Sequence, residues 1–400
     1  MLIPVPQRLA YEILTYCRLA YGKDAQKYPP HSRNSSRFTR DSCSRRREKV
    51  DLVLVSGDLF DSKNPSAEAE EAVFSFFLRL AEFKIPSVII AGNHDSPQRL
   101  EALGRLLKLT GATVLGNPKT ATEGGLISLR LGDEVAKIAM LPFISERRIV
   151  QFETVFEHDI GVWVQRYREG MRRLIQNLSA SFSPGTVNLM LLHTTMDDAV
   201  LAKSEYKFHC TRDYSLSHDM LPDTANYIAL GHIHKAQPVV GFPANAARYA
   251  GSLIQLDFGE AGESKFAYIL EAKAGKTTKL LNSHNISAGK PLKELQADEN
   301  SLETLLKSHQ GYYGYLKLIL KLKEPIAGLK DRLLKEMPQI LDIEIKLPER
   351  LIRLEEHQEI DPSHIELNEA YQQFYLEERK RDLNPRLAKA FQRLIEQVQP

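Results

Sequence analysis

Four short pieces of this 400-residue chain carry side chains that could work together: Gly57-Asp58-Leu59-Phe60-Asp61, Gly92-Asn93-His94-Asp95, an isolated His193, and Gly231-His232-Ile233-His234. They offer carboxylate oxygen, amide carbonyl oxygen and imidazole nitrogen. That mixed N/O set suits Mn²⁺, Fe or Zn²⁺, and no thiolate stands among them to select a softer ion. A carboxylate such as Asp58 can bridge two ions. Ions about 4 Å apart can hold a phosphate, activate water and stabilise the leaving oxygen of an in-line displacement. Each piece alone is weak, because a histidine at a strand end is more often a hydrogen-bonded loop or core residue than a ligand. In combination they are specific: each ends an apolar run, and the glycines beside the ligands permit tight turns and a close approach of backbone.

Those apolar runs are the elements that must position the ligands. Val50–Ser56 is rich in valine and is ended by Gly57 and Asp58, as a buried parallel strand would be. After a polar loop, Ser66–Phe83 places Ala69, Val73, Phe76, Phe77 and Leu80 at helical spacing, with Ser66 as N-cap. Ser87–Ala91 comes next as a second strand. Strand, helix and strand form a βαβ unit, whose ligands are expected at the carboxyl ends of the strands, where Asp58 and Asn93 lie. Lys137–Leu141, Val187–Leu192 and Tyr227–Leu230 repeat the arrangement, the last two leading into His193 and into the Gly231–His234 piece. Arg248–Gln255 and Phe266–Ala272 add strand-like segments. Residues 50–281 therefore read as a two-sheet α/β core built from βαβ units.

Residues 282–349 read as a smaller α+β unit, with helix over Ser301–Ser308 and strands over Tyr315–Leu322 and Ile343–Leu347, and with no candidate catalytic cluster. Residues 350–400 are highly charged and offer two amphipathic helices, Ile365–Glu378 and Arg386–Val398. The second carries Leu387, Ala390, Phe391, Leu394, Ile395 and Val398 on one stripe, which must pack on its own domain or on a partner helix.

With 43% hydrophobic and 26% charged residues, the composition is that of a soluble globular protein. No run approaches 18 uncharged apolar residues and the N-terminus lacks a secretory pattern, so a cytoplasmic protein without a membrane partner is expected. Cys17, Cys43 and Cys210 show neither zinc spacing nor the even count of a disulfide framework. A net charge of +2 is too small to announce nucleic-acid binding by itself. The charge is uneven, however: residues 1–49 hold eleven Lys/Arg against four Asp/Glu, a net of +7, which leaves −5 for the remainder.

The motifs resemble those of the calcineurin-like metallophosphoesterases, which include Gly-Asp, Gly-Asn-His-Asp/Glu and Gly-His-x-His. The resemblance implies that Asp58 bridges two metal ions, that Asn93, His193 and His232 bind one of them and that His234 binds the other. It also implies that His94 is the general acid protonating the leaving oxygen, oriented by Asp95; an imidazole suits that task because its pKa lies near working pH. Within the superfamily the chain is most similar to SbcD-type DNA repair exonuclease subunits. Asn226–Lys235 and Gly251–Glu260 look like that family's segments, as does the order of catalytic core, capping domain (282–349) and C-terminal helices (350–400). What this implies is a DNA exonuclease and endonuclease subunit using two divalent ions, Mn²⁺ foremost, in double-strand-break repair and recombination. Its partners would be DNA and an SbcC-type coiled-coil ATPase, with a homodimer inside a heterotetramer. Lys235, Arg248 and Lys265 are candidates to meet DNA phosphates.

One part departs from the pattern. The superfamily opens with Asp-x-His at the end of its first strand, two further ligands for the ion that His234 serves. No Asp-x-His occurs in residues 1–49, where Asp24 precedes Pro29-Pro30-His31 and nothing reads as strand, ligand loop and helix. Three accounts stand: a displaced reading frame, a divergent or disordered basic extension that touches phosphates, or a natural loss of activity. The first is concrete. Cys17-Arg18-Leu19-Ala20-Tyr21 can be encoded by TGC CGA CTG GCA TAT, which one base later reads Ala-Asp-Trp-His. Two rival functions remain: a small-substrate phosphoesterase, against which the capping domain and amphipathic tail speak, and an inactive DNA-end-binding scaffold, which the missing pair favours.

Overall fold

The computed structural model describes residues 11–16, 50–145, 160–201 and 214–348 (244 and 288 excepted), and near the C-terminus 371, 375–376, 383–384 and 387–391. Among the described residues, fifteen strands form three sheets. The first sheet takes β1 (Tyr11–Tyr16), β2 (Leu52–Val55), β3 (Ser87–Ile90), β4 (Ala112–Leu115), β11 (Lys265–Ala272) and β12 (Lys279–Ile286), in the order β12-β11-β1-β2-β3-β4. The second takes β5 (Leu126–Leu131), β6 (Glu134–Leu141), β7 (Val187–His193), β8 (Tyr227–Gly231), β9 (Gln237–Pro238) and β10 (Ala247–Tyr249), in the order β5-β6-β7-β8-β10-β9. In each sheet the central strands are parallel: β1 through β4 in the first, β6, β7, β8 and β10 in the second.

The hydrophobic patterns explain the stacking. Alternate residues of β2 and β3 point inward, and Leu52, Leu54, Val88 and Ile90 pack against Ile138, Leu189, Leu191, Tyr227 and Ala229 of the other sheet. The opposite faces are covered by helices. Val53, Val55 and Ile89 lie under α1 (Ala67–Glu82) and α2 (Pro97–Leu107), where Val73, Phe76, Phe77, Leu80, Leu100 and Leu107 form the covering stripe. Across the molecule, Met190, Leu192, Ile228 and Leu230 lie under α3 (Ile160–Ser179), which contributes Tyr167, Met171, Ile175 and Leu178. The result is a four-layer α/β/β/α core. The α1 stripe is the one the sequence predicts, down to Ser66, whose side chain accepts from the Ala69 N–H.

Strand β1 corrects the expectation that no strand precedes Val50. Its pattern is unremarkable in a basic stretch; what fixes it is pairing on both sides, antiparallel to β11 with Tyr11 opposite Ala272 and parallel to β2 with Tyr16 opposite Val55. A second correction concerns Arg248–Gln255. Only Ala247–Tyr249 is strand, because Gly251 adopts φ 81° and turns the chain away from the ladder.

A third, three-stranded parallel sheet orders β13 (Leu292–Asp298), β14 (Tyr315–Lys321) and β15 (Ile340–Lys346), with α4 (Leu302–His309) and α5 (Leu329–Glu336) supplying Leu302, Leu306, Leu329 and Leu333 to its own core. The predicted helices over 365–378 and 386–398 fall largely outside the described residues. Where described, Tyr371, Tyr375–Leu376 and Leu387–Phe391 are helical, and the rings of Tyr371 and Phe391 stack with centroids 4.0 Å apart. Part of the predicted stripe therefore packs on its own chain. No helix among the described residues is long and apolar enough to cross a membrane.

Candidate metal centre

The carboxyl ends of β2, β3, β7 and β8 meet at one point, where the two sheets touch. Ser56, after β2, donates its hydroxyl to the Ala229 carbonyl in β8 at 3.1 Å. Gly231 presses against the same corner: a Cβ there would lie 1.8 Å from the Ser56 carbonyl oxygen, so only glycine fits. The chain pays for this convergence in backbone strain. Asp58 has φ 53° and His232 φ 95°, left-handed values that non-glycine residues rarely hold unless their surroundings fix them.

Four of the predicted ligands converge. The Asn93 Oδ1 lies 3.0 Å from His193 Nε2 and 2.9 Å from His232 Nδ1. Asp58 Oδ2 lies 3.4 Å from the same His193 Nε2. The ligand atoms of Asp58, His193 and His232 are all within 4.8 Å of one another, and all three residues are buried. His193 Nδ1 donates to the Ser56 carbonyl at 2.7 Å, so a neutral ring would turn the lone pair of Nε2 toward two acceptor oxygens, Asn93 Oδ1 and Asp58 Oδ2. That contact is repulsive unless positive charge lies among the three atoms, either as a proton on His193 or as a cation.

The electrostatics agree. Burial opposes charge on His193, but the Asp58 carboxylate and the Ser56 carbonyl outweigh it and hold its pKa above the ordinary imidazole value. Burial, reinforced by His193, pushes His232 down to about 3, so it is neutral near pH 7 and offers a lone pair without first losing a proton. The donor set of Asp58, Asn93, His193 and His232 thus fits one divalent cation. His234, which the resemblance assigns with Asp58 to a second ion, is not among these four, and the sequence contains no Asp-x-His before Val50 to complete such a position.

The proposed acid His94 stands at the rim, its backbone N–H donating to Asp58 Oδ1 at 2.9 Å and its Nδ1 donating to the Asp61 carbonyl at 2.9 Å. The expectation that Asp95 orients the His94 ring is corrected. The buried Asp95 carboxylate accepts instead from the backbone N–H groups of Leu59, Phe60 and Gly92, at 3.1, 2.9 and 2.8 Å, and so ties the loop after β2 to the loop after β3. Burial and the charge of Asp58 raise its pKa to about 6 against the pull of those three amides. Asp61, through its backbone, does the orienting that the sequence assigns to Asp95.

His234 lies apart from the four-ligand cluster in a second group with Asp257 and Glu260. Its Nδ1 is 2.7 Å from Glu260 Oε1, and Glu260 is fully buried. Burial alone would raise the Glu260 pKa, but the His234 hydrogen bond and the Lys265 ammonium lower it to about 2. Lys265 is therefore not a phosphate contact: it is 4% exposed, with Nζ 2.7 Å from Glu260 and 3.1 Å from Glu263. Arg248 lays its guanidinium over the Tyr268 ring, 4.7 Å from the centroid, while Lys235 is exposed.

Two residues at the site carry no chemical motif and escape a sequence reading. Phe143, just past β6, stacks on His232 with centroids 5.9 Å apart and meets His193 edge-on at 6.0 Å, forming an apolar wall. The buried Tyr249 hydroxyl donates to the Thr194 carbonyl at 2.8 Å and accepts from the Met196 N–H at 2.9 Å, fixing the chain just beyond His193. The only hint of Phe143 in the sequence is its place after an apolar run; Tyr249 gives none.

Residues 33–236 match the family model for the calcineurin-like phosphoesterases, a span that holds Asp58, Asn93, His193, His232 and His234 and begins after β1. The SbcD subunit of the nuclease SbcCD from Bacillus subtilis is 28% identical over 335 residues, covering 82% of this chain and 83% of that one. Its Escherichia coli K12 namesake is 27% identical over 267 residues, 65% of this chain and 64% of that one. With the matched span covering half the chain, the chain belongs to the calcineurin-like phosphoesterase family, whose members work with divalent metal ions.

Proposed function

We propose that this chain is the nuclease subunit of an SbcD-type complex, a Mn²⁺-dependent exonuclease and endonuclease that hydrolyses DNA phosphodiesters in double-strand-break repair and recombination. The observation that carries the reading is the meeting of Asp58, Asn93, His193 and His232 at one buried point from four strand ends. The Bacillus subtilis and Escherichia coli relatives are nuclease subunits by name and support the choice of DNA over a small phosphoester. In this reading residues 282–349 cap the catalytic domain, and residues 350–400 hold a coiled-coil ATPase of the SbcC type. The complex is a cytoplasmic heterotetramer built on a homodimer of this chain.

Divalent ions bound at the centre would neutralise phosphoryl charge and lower the pKa of an attacking water. The protein's own work is positional. Asp58, Asn93, His193 and His232 would hold one ion, and His234, with Asp58, would serve the second. Phe143 keeps water off the imidazoles of His193 and His232. His94, held through Nδ1 by the Asp61 carbonyl, presents Nε2 at the rim and delivers a proton to the departing sugar oxygen. Exposed Lys235 meets the DNA backbone.

A second reading rests on one specific observation, the absence of Asp-x-His: the chain binds DNA ends without cutting them. One experiment separates the two. Linear duplex DNA is incubated with Mn²⁺ and the purified chain, with and without the ATPase partner, beside His94→Ala. Degradation that the variant abolishes supports the enzyme; end binding with no cleavage under any condition supports the scaffold, and neither binding nor cleavage would sink both.

A further inference from the structure

The segment Gly251–Glu260 matches the family resemblance but supplies none of the four converging ligands. It runs from the end of β10 past the strand ends to a short 3-10 turn at Phe258–Glu260, capped by Asp257, whose carboxylate accepts from the Gly259 N–H at 2.6 Å. Both of its ends grip His234. At one end the Ser252 N–H donates to the His234 carbonyl at 2.9 Å. At the other, the Glu260 carboxylate takes the imidazole: Oε1 lies 2.7 Å from Nδ1. The second oxygen, Oε2, is held by Lys265 Nζ at 2.7 Å, the Ser252 hydroxyl at 3.0 Å and the Leu256 N–H at 3.3 Å. Lys265 also donates to the His234 carbonyl at 3.3 Å. A carboxylate with no solvent exposure and four donors in reach has little freedom to move.

Two roles compete for Glu260. It could be a metal ligand in its own right, since its oxygen, His234 nitrogen and Asp257 oxygen lie within 4.8 Å. Against this, the Lys265 ammonium already occupies Oε2, and a cation there would face that charge at short range. An ionised carboxylate is acceptor-only, so its contact with Nδ1 requires the proton to sit on Nδ1. Nε2 is then the ring atom that can carry a lone pair toward a cation. Carboxylate–histidine pairs of this kind fix the tautomer and orientation of a metal-binding imidazole, and losing the carboxylate typically weakens metal binding by about 10- to 100-fold.

We infer that Glu260, locked by Lys265 and Ser252, is the positioning residue for His234 and that the Gly251–Glu260 segment exists to present it. The inference rests on the reading of His234 as a metal ligand, and its test separates the two. Mn²⁺ binding to the full chain is followed by isothermal titration for the wild type, His234→Ala, Glu260→Ala, Glu260→Gln and the double variant His234→Ala/Glu260→Ala. In the metal-free protein, the His234 tautomer is read from ring ¹⁵N shifts assigned by difference from His234→Ala.

The wild type is expected to hold the proton on Nδ1, and Glu260→Ala to move it toward Nε2. Affinity should fall about 10- to 100-fold in Glu260→Ala, less in Glu260→Gln, whose amide oxygen can still accept. The double variant should bind no worse than His234→Ala alone, because a residue that acts through the imidazole has nothing to act on once it is gone. If His234→Ala binds Mn²⁺ like the wild type, the ligand reading of His234 fails. If it weakens binding while Glu260→Ala leaves both tautomer and affinity unchanged, or if the two losses add, the positioning role alone is overturned. Glu260→Gln, close to isosteric, decides the matter should Glu260→Ala fail to fold.

Discussion

At this centre one imidazole and one carboxylate are shifted down and one of each is shifted up, and the balance predicts how the metal-free protein responds to acid. His232 has a pKa of about 3 in the fold against 6.5 ordinarily, so between those values the unfolded chain binds a proton that the folded chain does not. The stability it contributes is complete above pH 6.5 and is lost as the pH falls. Glu260, at about 2 against 4.5, behaves the same way in its own window. Asp95, at about 6 against 3.8, does the reverse: the folded state keeps the proton, and stability declines as pH rises through that range. Between pH 3.8 and 6 the effects of His232 and Asp95 cancel; below 4.5 Glu260 begins to lower stability, and below 3.8 it adds to an unopposed His232. His193, raised above 6.5, lowers stability as pH rises beyond its ordinary value. Denaturant midpoints in chelator should therefore be nearly level from pH 6 to 4.5 and fall below it, and Glu260→Gln should soften the fall. A steep loss already between pH 6 and 4.5 would show that these residues do not govern it. The same scale separates His94 from the ligands. Its ring contacts the Asp61 carbonyl and its backbone N–H, which any residue retains, holds Asp58. His94→Ala should thus lower the hydrolysis rate about 10²- to 10⁴-fold while Mn²⁺ affinity stays at the wild-type value; equal losses in both would make it a structural residue.

Elements place these side chains by bringing two sheets into contact at one corner, and that corner tolerates no extra carbon. Gly231 is the test. An alanine there sets Cβ 1.8 Å from a backbone oxygen, which cannot rotate away as a side chain could, whereas Gly185 has nothing within 4 Å of the same position. Overpacking costs about 1–3 kcal/mol, and in a domain of this size each kcal/mol moves Tm by about 2–4 °C. Gly231→Ala should lower Tm by several degrees and weaken Mn²⁺ binding with it, because His232 follows β8 directly; Gly185→Ala should do neither. The glycines were readable as turn formers beside ligands, as were β2, α1, β3, β7 and β8, whose runs are long and regular. Strand β1 was not. Its six residues make no pattern of their own, and both neighbours that define it, β2 and β11, are remote in sequence or lie beyond a long basic stretch. Nor could spacing show that Asp95 serves backbone amides while Asp61 orients His94, since side chain and carbonyl compete for the same donors only once the loops have met.

For the whole molecule, the α/β core and the short pieces that meet at its corner were legible in the residues while the N-terminal segment stood as an anomaly, and β1 sharpens what that anomaly means. The chain leaves β1 at Tyr16, which lies beside Val55, so the segment after β1 departs at the same sheet end from which β2 leads to Asp58. That is the end at which Asp58, Asn93, His193 and His232 meet. Arg18 and Ala20 come second and fourth after the strand, and the reading displaced by one base puts Asp and His at those two places. Arg18 as encoded is a cation at the sequence position where the displaced reading has a carboxylate. One tightly bound Mn²⁺ per chain, held by Asp58, Asn93, His193 and His232, is therefore expected of the protein as written, with a second held only weakly on the His234 side. Arg18→Asp combined with Ala20→His should tighten that second site and produce the exchange-coupled Mn²⁺ spectrum of a dinuclear site in electron paramagnetic resonance, with DNA hydrolysis rising alongside. Two tightly bound ions before any substitution would mean that other residues already supply the missing ligands. A second site no tighter after the substitution than before it would mean that the place of Asp-x-His is not at the end of β1, and the account of residues 1–49 as a displaced reading of the family's first motif would fall.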